Sequence, residues 1–152
     1  MHPMASAAAI TSEVQADGLH IRLLNQRALC EPLREAIFAY LEPVALGPKA
    51  RFHLELAVEE TFMNQVWHAY DDSLVHEVMV TVTFDERLVC LTFEDDGKPF
   101  DPTQEQIAPA PDRLEDAVPG GLGLLLVRKF SESVNYARLH DRNRLRICMR
   151  RE

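Results

Sequence analysis

The sequence predicts an α+β fold: helices layered on one face of a mixed, mostly antiparallel sheet of about five strands. Three observations predict it. Short alternating or apolar runs bounded by turn residues recur toward both ends of the 152-residue chain. One central stretch repeats its apolar residues every four positions, the period of a half-buried helix. The runs also follow the order strand, two helices, hairpin, long connection, helix, hairpin, which sets antiparallel pairs beside helices.

Residues 1–18 read as a disordered lead-in, because Met1 to Ile10 is alanine-rich without the basic segment of a signal peptide. The folded domain then spans 19–152. Leu19 to Leu24 alternates apolar and polar residues for most of its length and predicts the first strand. A helix is expected from about Arg27 to Leu41, with Pro32 tolerated only in its first turn, and Pro43 and Gly47-Pro48 end it. The next helix, about Lys49 to Tyr70, has Leu54, Val58, Phe62 and Val66 on one face, widened by Ala57, Thr61 and Ala69. Glu60, Asn64 and His68 form a second, polar stripe on another face.

Strands at Glu77 to Phe84 and Leu88 to Glu94, joined by Asp85-Glu86-Arg87, predict a hairpin. Thr103 to Pro119 holds three prolines and no apolar period, and a connection of that length suits a functional lid. A helix from Gly121 to Phe130 precedes two final strands, Val134 to Leu139 and Leu145 to Met149, around an Asp141-Arg142-Asn143 turn.

The net charge of −8 argues against non-specific binding to nucleic acid or an anionic membrane, while leaving room for a basic protein partner. No stretch approaches the ~20 apolar residues of a membrane span. Cys30, Cys90 and Cys148 are odd in number and lack metal-ligand spacing. Cys90 and Cys148 lie in apolar strand-like runs and read as plain core residues in a reducing compartment, the cytoplasm.

Three motifs carry the chemistry. Glu60 and Asn64 sit one helical turn apart, so a carboxylate and an amide oxygen can share a ligand such as magnesium-bound phosphate. Asp95 ends a strand at an acidic turn, where it could accept a hydrogen bond from an adenine amino group, with Gly97 letting backbone approach the base. Gly120-Gly121-Leu122-Gly123-Leu124 opens a helix, where backbone N–H groups can meet phosphate. It is neither a dinucleotide fingerprint, since Leu126 takes the third glycine position, nor a P-loop, since Gly97-Lys98 is followed by Pro99. Each motif alone also fits a bland reading: a solvated helix face, an acidic turn, a hinge. His68 fits a histidine stabilised by its helix C-terminus. The three together, in this order, point to ATP.

As a set these residues resemble the GHKL-type ATPase domain, the Bergerat ATP-binding fold, a two-layer α/β sandwich. Glu60-x-x-x-Asn64 is similar to its N box, Asp95-x-Gly97 to its G1 box, and Gly121-x-Gly123-Leu124 to its G2 box. The runs Ala57 to Tyr70, Asp96 to Pro102, Gly120 to Leu124 and Asn143 to Arg146 resemble more closely the RsbW-type anti-sigma factors, which are serine-protein kinases. The resemblance covers about 19 to 151 and implies roles. Asn64 would ligate magnesium, and Glu60 would be the general base toward a substrate serine. Asp95 would recognise adenine beside Gly97, and Gly121, Gly123 and Leu124 would line the phosphate end under the 103–119 lid. It also implies ATP and magnesium as cofactors, a STAS-domain antagonist as phospho-acceptor, a sequestered sigma factor and a homodimer. The lid has one basic residue, Arg113, with Arg128 and Lys129 on the following helix, so few cations face the γ-phosphate. That leaves a second reading open, a non-catalytic ATP-binding module that sequesters a partner.

Overall fold

The computed structural model describes residues 9–101 and 121–152. Strand β1 spans Ile10–Gln15 and β2 spans Gly18–Leu24. A 3₁₀ turn, Arg27–Leu29, leads into helix α1, Cys30–Tyr40, and helix α2 runs from Pro48 to Trp67. Strands β3 (Glu77–Phe84) and β4 (Leu88–Asp95) precede helix α3 (Gly121–Phe130), and β5 (Ser133–Leu139) and β6 (Arg142–Arg150) close the chain.

The six strands form one sheet in the order β1-β2-β3-β4-β6-β5. The α+β class is the expected one. Every pairing is antiparallel, so the sheet lacks the parallel member of a mixed sheet. Alternation sorts its residues: Val78, Val80 and Val82 of β3, Leu91 and Phe93 of β4, and Ile147 and Met149 of β6 are buried. Leu33 and Ile37 of α1 and Leu54, Val58 and Phe62 of α2 pack on them and are fully buried, making the core. The other sheet face is an open, polar groove that includes His20, Arg22, Thr81, Thr92 and Arg144.

Three expectations are corrected. The lead-in assigned to 1–18 contains β1, paired with β2 from Ile10↔Leu23 to Gln15↔Gly18; residues 1–8 lie outside the described ones. This edge strand is exposed along almost its whole length, so it is held by ladder hydrogen bonds that leave no hydrophobic pattern. Helix α2 begins one residue early because Pro48 fits the first helical position, where a missing N–H costs nothing; Gly47 before it is extended. Cys90 and Cys148 are not separate core residues. They face each other across β4 and β6 with Cα atoms 4.1 Å apart and are joined as a disulfide. Register creates that pair, since a one-residue slip would turn the two side chains to opposite faces. The inference of a reducing compartment rested on unlinked cysteines and loses that support. No helix among the described residues is long and apolar enough to cross a membrane.

The last hairpin turns at His140 and Asp141, both with positive φ (52° and 61°), one residue before the expected turn. That two-residue geometry matches the twist of an antiparallel pair, and in the neighbouring β4–β6 ladder Asn143 lies opposite Asp95.

Candidate functional site

Helix α2 crosses the sheet with its apolar stripe down, which leaves a polar strip along the edge facing β4 and α3. Glu60 and Asn64 lie one turn apart there, both partly buried. Thr61 and Gln65, one position further round, are buried at 3% and 5% exposure.

Asp95, at the end of β4, is 6% exposed, and protein donors occupy both of its oxygens. Its Oδ1 accepts from the Gly97 N–H at 3.0 Å and from Asn143 Nδ2 at 2.8 Å. Its Oδ2 accepts from Gln65 Nε2 at 3.0 Å. Asn143 also donates to the Lys98 carbonyl at 2.8 Å, while its own Oδ1 accepts from Tyr136 Oη and from Arg138 at 3.2 Å. Arg138 donates in turn to the Gly97 carbonyl at 2.7 Å. The β5–β6 hairpin thus holds the 95–98 turn through side chains, and a buried carboxylate tied by three donors is fixed in position.

Tyr70 braces the turn from the other side. Its hydroxyl donates to Asp96 at 2.6 Å and its ring stacks on His76 at 3.7 Å between centroids. Burial, then the bond to Asp96, pushes the phenol well above its ordinary range, and that bond lowers the Asp96 carboxyl.

Gly97 has a packing role that its sequence context does not suggest. It is absent from the cleft lining. A Cβ there would overlap the Ala69 carbonyl, against which the turn is packed, and the Lys98 N–H bonds that same carbonyl at 2.8 Å. The turn therefore satisfies a buried carbonyl just beyond the end of α2. Gly97→Ala is expected to lower stability by about 1–3 kcal/mol through overpacking, read as a lower urea midpoint. An unchanged midpoint would contradict the close approach.

Helix α3 brings the third motif to the first. A Cβ on Gly123 would overlap the Glu60 carboxylate, so α3 rests on Glu60 only because position 123 is glycine. Burial, with the neighbouring Glu59 charge second, raises the Glu60 pKa. At its other end α3 stacks Phe130 on His53, two turns earlier on α2, at 3.9 Å. Arg128 and Lys129, in that last turn, lie away from Glu60.

A small open cleft lies among these parts. Asn64, Asp95 and Leu124 line it with His68, Phe100 and Tyr136, and Thr61, Gln65 and Asn143 complete its polar wall. Glu60 and Gly123 meet at the start of α3, and Gly121 is its first residue. Gly120, the 103–119 lid and Arg113 lie outside the described residues. No arginine or lysine is among the described residues lining the cleft. The Asn64 amide oxygen, one turn from the Glu60 carboxylate, is a hard donor of the kind that suits magnesium.

Sequence reasoning gave no site role to Thr61, Gln65, Tyr136, Arg138 or Asn143. A polar residue on a buried face, such as Gln65 after Asn64 or Asn143 in step with Leu145 and Ile147, is the trace that could have found them.

The sequence profile of the Histidine kinase-like ATPase domain matches residues 24–150. The serine/threonine-protein kinase BtrW of Bordetella bronchiseptica is 35% identical over 112 residues, 71% of this chain and 79% of that protein. Among solved structures, the histidine kinase AdeS of Acinetobacter baumannii superposes with a TM-score of 0.50 at 14% identity, over 86% of this chain and 68% of that one, a likeness of fold.

Proposed function

The chain belongs to the Histidine kinase-like ATPase domain family, and on that premise we propose that it is an ATP-dependent serine/threonine protein kinase acting as an anti-sigma factor. It phosphorylates a STAS-domain antagonist, sequesters a sigma factor in the cytoplasm and works as a homodimer. The observation that carries the kinase reading is the contact of the N-box carboxylate, Glu60, with the glycine of the α3 start, beside the cleft floored by Asp95. Similarity to a protein named as a serine/threonine kinase supports the same reaction.

The residues divide the work by place. Asp95 takes the adenine amino group. Gly121, Gly123 and Leu124 present the N-terminal turn of α3, whose free N–H groups and dipole favour phosphate oxygens. Asn64 offers its amide oxygen to magnesium, adding no further negative charge. Bound magnesium would neutralise charge on the phosphate oxygens. Glu60 accepts the proton of the attacking serine or threonine hydroxyl as its oxygen bonds to the γ-phosphorus and ADP departs. A carboxylate whose pKa is already raised suits that task.

A purified STAS-domain protein incubated with labelled ATP should take up phosphate on serine or threonine. Nucleotide binding without any transfer would favour the second reading, a partner-sequestering module with ATP as a structural ligand. The absence of arginine and lysine among the described cleft residues favours that alternative. Asn64→Ala should remove the magnesium-dependent part of ATP affinity in calorimetric titration. Equal magnesium dependence in both proteins would remove Asn64 from the metal site.

A further inference from the structure

Among the described residues, two buried side-chain polar atoms have no hydrogen-bond partner, Thr61 Oγ1 and Gln65 Oε1. Both belong to residues that line the cleft beside Asp95. A buried acceptor left unpaired costs free energy, and two at one cleft ask for a ligand that supplies the missing bonds. The Thr61 hydroxyl can donate or accept and therefore selects little. Gln65 is different. Its Nε2 sits 3.0 Å from Asp95 Oδ2 and 3.4 Å from the Glu94 carbonyl, two acceptors. Turning the amide over would set its oxygen against both, so Oε1 is left as the unpaired end.

We propose that Gln65 is a specificity-determining residue for the base, its Oε1 accepting one N–H of an adenine amino group while Asp95 Oδ2 accepts the other. The proposal rests on the nucleotide reading above and extends it from one acceptor to two. An exocyclic amino group has two hydrogens, and the cleft offers two acceptors held together by the Gln65–Asp95 bond. A purine with a keto oxygen at that position would face both with a third acceptor, leaving that oxygen and Gln65 Oε1 without a donor.

The test compares ATP, N6-methyl-ATP and purine riboside triphosphate, which lacks the amino group, on the wild type, Gln65→Ala and Gln65→Met. The methionine variant keeps the side-chain bulk, so a binding result is available if the alanine variant does not fold. Wild type should prefer ATP over purine riboside triphosphate, and that preference should fall about tenfold in either variant. Wild type should also discriminate against N6-methyl-ATP, and Gln65→Ala should bind it as well as ATP. A residue that only packs the cleft would also admit the methyl group on truncation, but its methionine variant, which keeps the bulk, would retain the preference for ATP over purine riboside triphosphate. An unchanged preference for ATP over purine riboside triphosphate in the folded variants, or undiminished discrimination against N6-methyl-ATP in folded Gln65→Ala, overturns the proposal. Wild type binding none of the three compounds overturns it together with the nucleotide reading, and is told apart because the unmodified protein is itself silent.

Discussion

Glu60→Gln is expected to reduce phosphotransfer to a STAS-domain substrate by about 10²- to 10⁴-fold while ATP affinity changes little, the loss typical of a removed general base. The amide keeps the shape that rests on Gly123 and loses only the ability to take a proton. Linkage separates this from a folding defect. Burial raises the Glu60 pKa, so the fold binds this proton more tightly than the unfolded chain does. Its contribution to stability is full below the unfolded carboxyl pKa and is lost as pH rises through the raised folded value. At neutral pH the variant should be at least as stable as wild type. The acid limb of the wild-type rate profile should lie above the ordinary carboxyl range for the same reason. Wild-type rates in the variant, or an acid limb at an ordinary carboxyl pKa, would assign the proton to another group.

What could be read from the sequence follows what each element buries. Helix α2 was legible because Leu54, Val58 and Phe62 all bury on one face, and the β3–β4 hairpin because its strands alternate against the same core. Strand β1 buries almost nothing, so no pattern of side chains announces it. The Cys90–Cys148 bridge follows from strand register, which local composition does not encode. At the candidate site, Glu60, Asn64, Asp95 and the α3 glycines could be singled out because their chemistry is carried by residue type and short spacing. Gln65 and Asn143 were missed because their roles come from partners 30 and 48 residues away. The missing Cβ of Gly97 also accommodates Ala69, a contact visible only once α2 and the turn are packed.

That network makes Asp95→Asn a larger perturbation than its size suggests. Oδ1 receives two donors, Gly97 N–H and Asn143 Nδ2, so the new amide must keep its oxygen there and place its nitrogen where Oδ2 stood. The nitrogen then meets Gln65 Nε2, donor against donor, until the Gln65 amide turns over. Once it has turned, the cleft presents two donors where it had presented two acceptors. ATP affinity should fall roughly a hundredfold, from a lost charge-assisted bond and a mismatched amino group. ITP, with a keto oxygen in place of the amino group, should gain affinity, so the ATP-to-ITP preference should collapse by more than ATP affinity alone. Calorimetric titration of both nucleotides measures this, with the urea midpoint confirming that the variant is folded. Unaltered ATP binding in a folded variant would mean that Asp95 holds the turn and does not read the base. Equal loss of both nucleotides would mean that the substitution disorders the cleft rather than inverting its polarity.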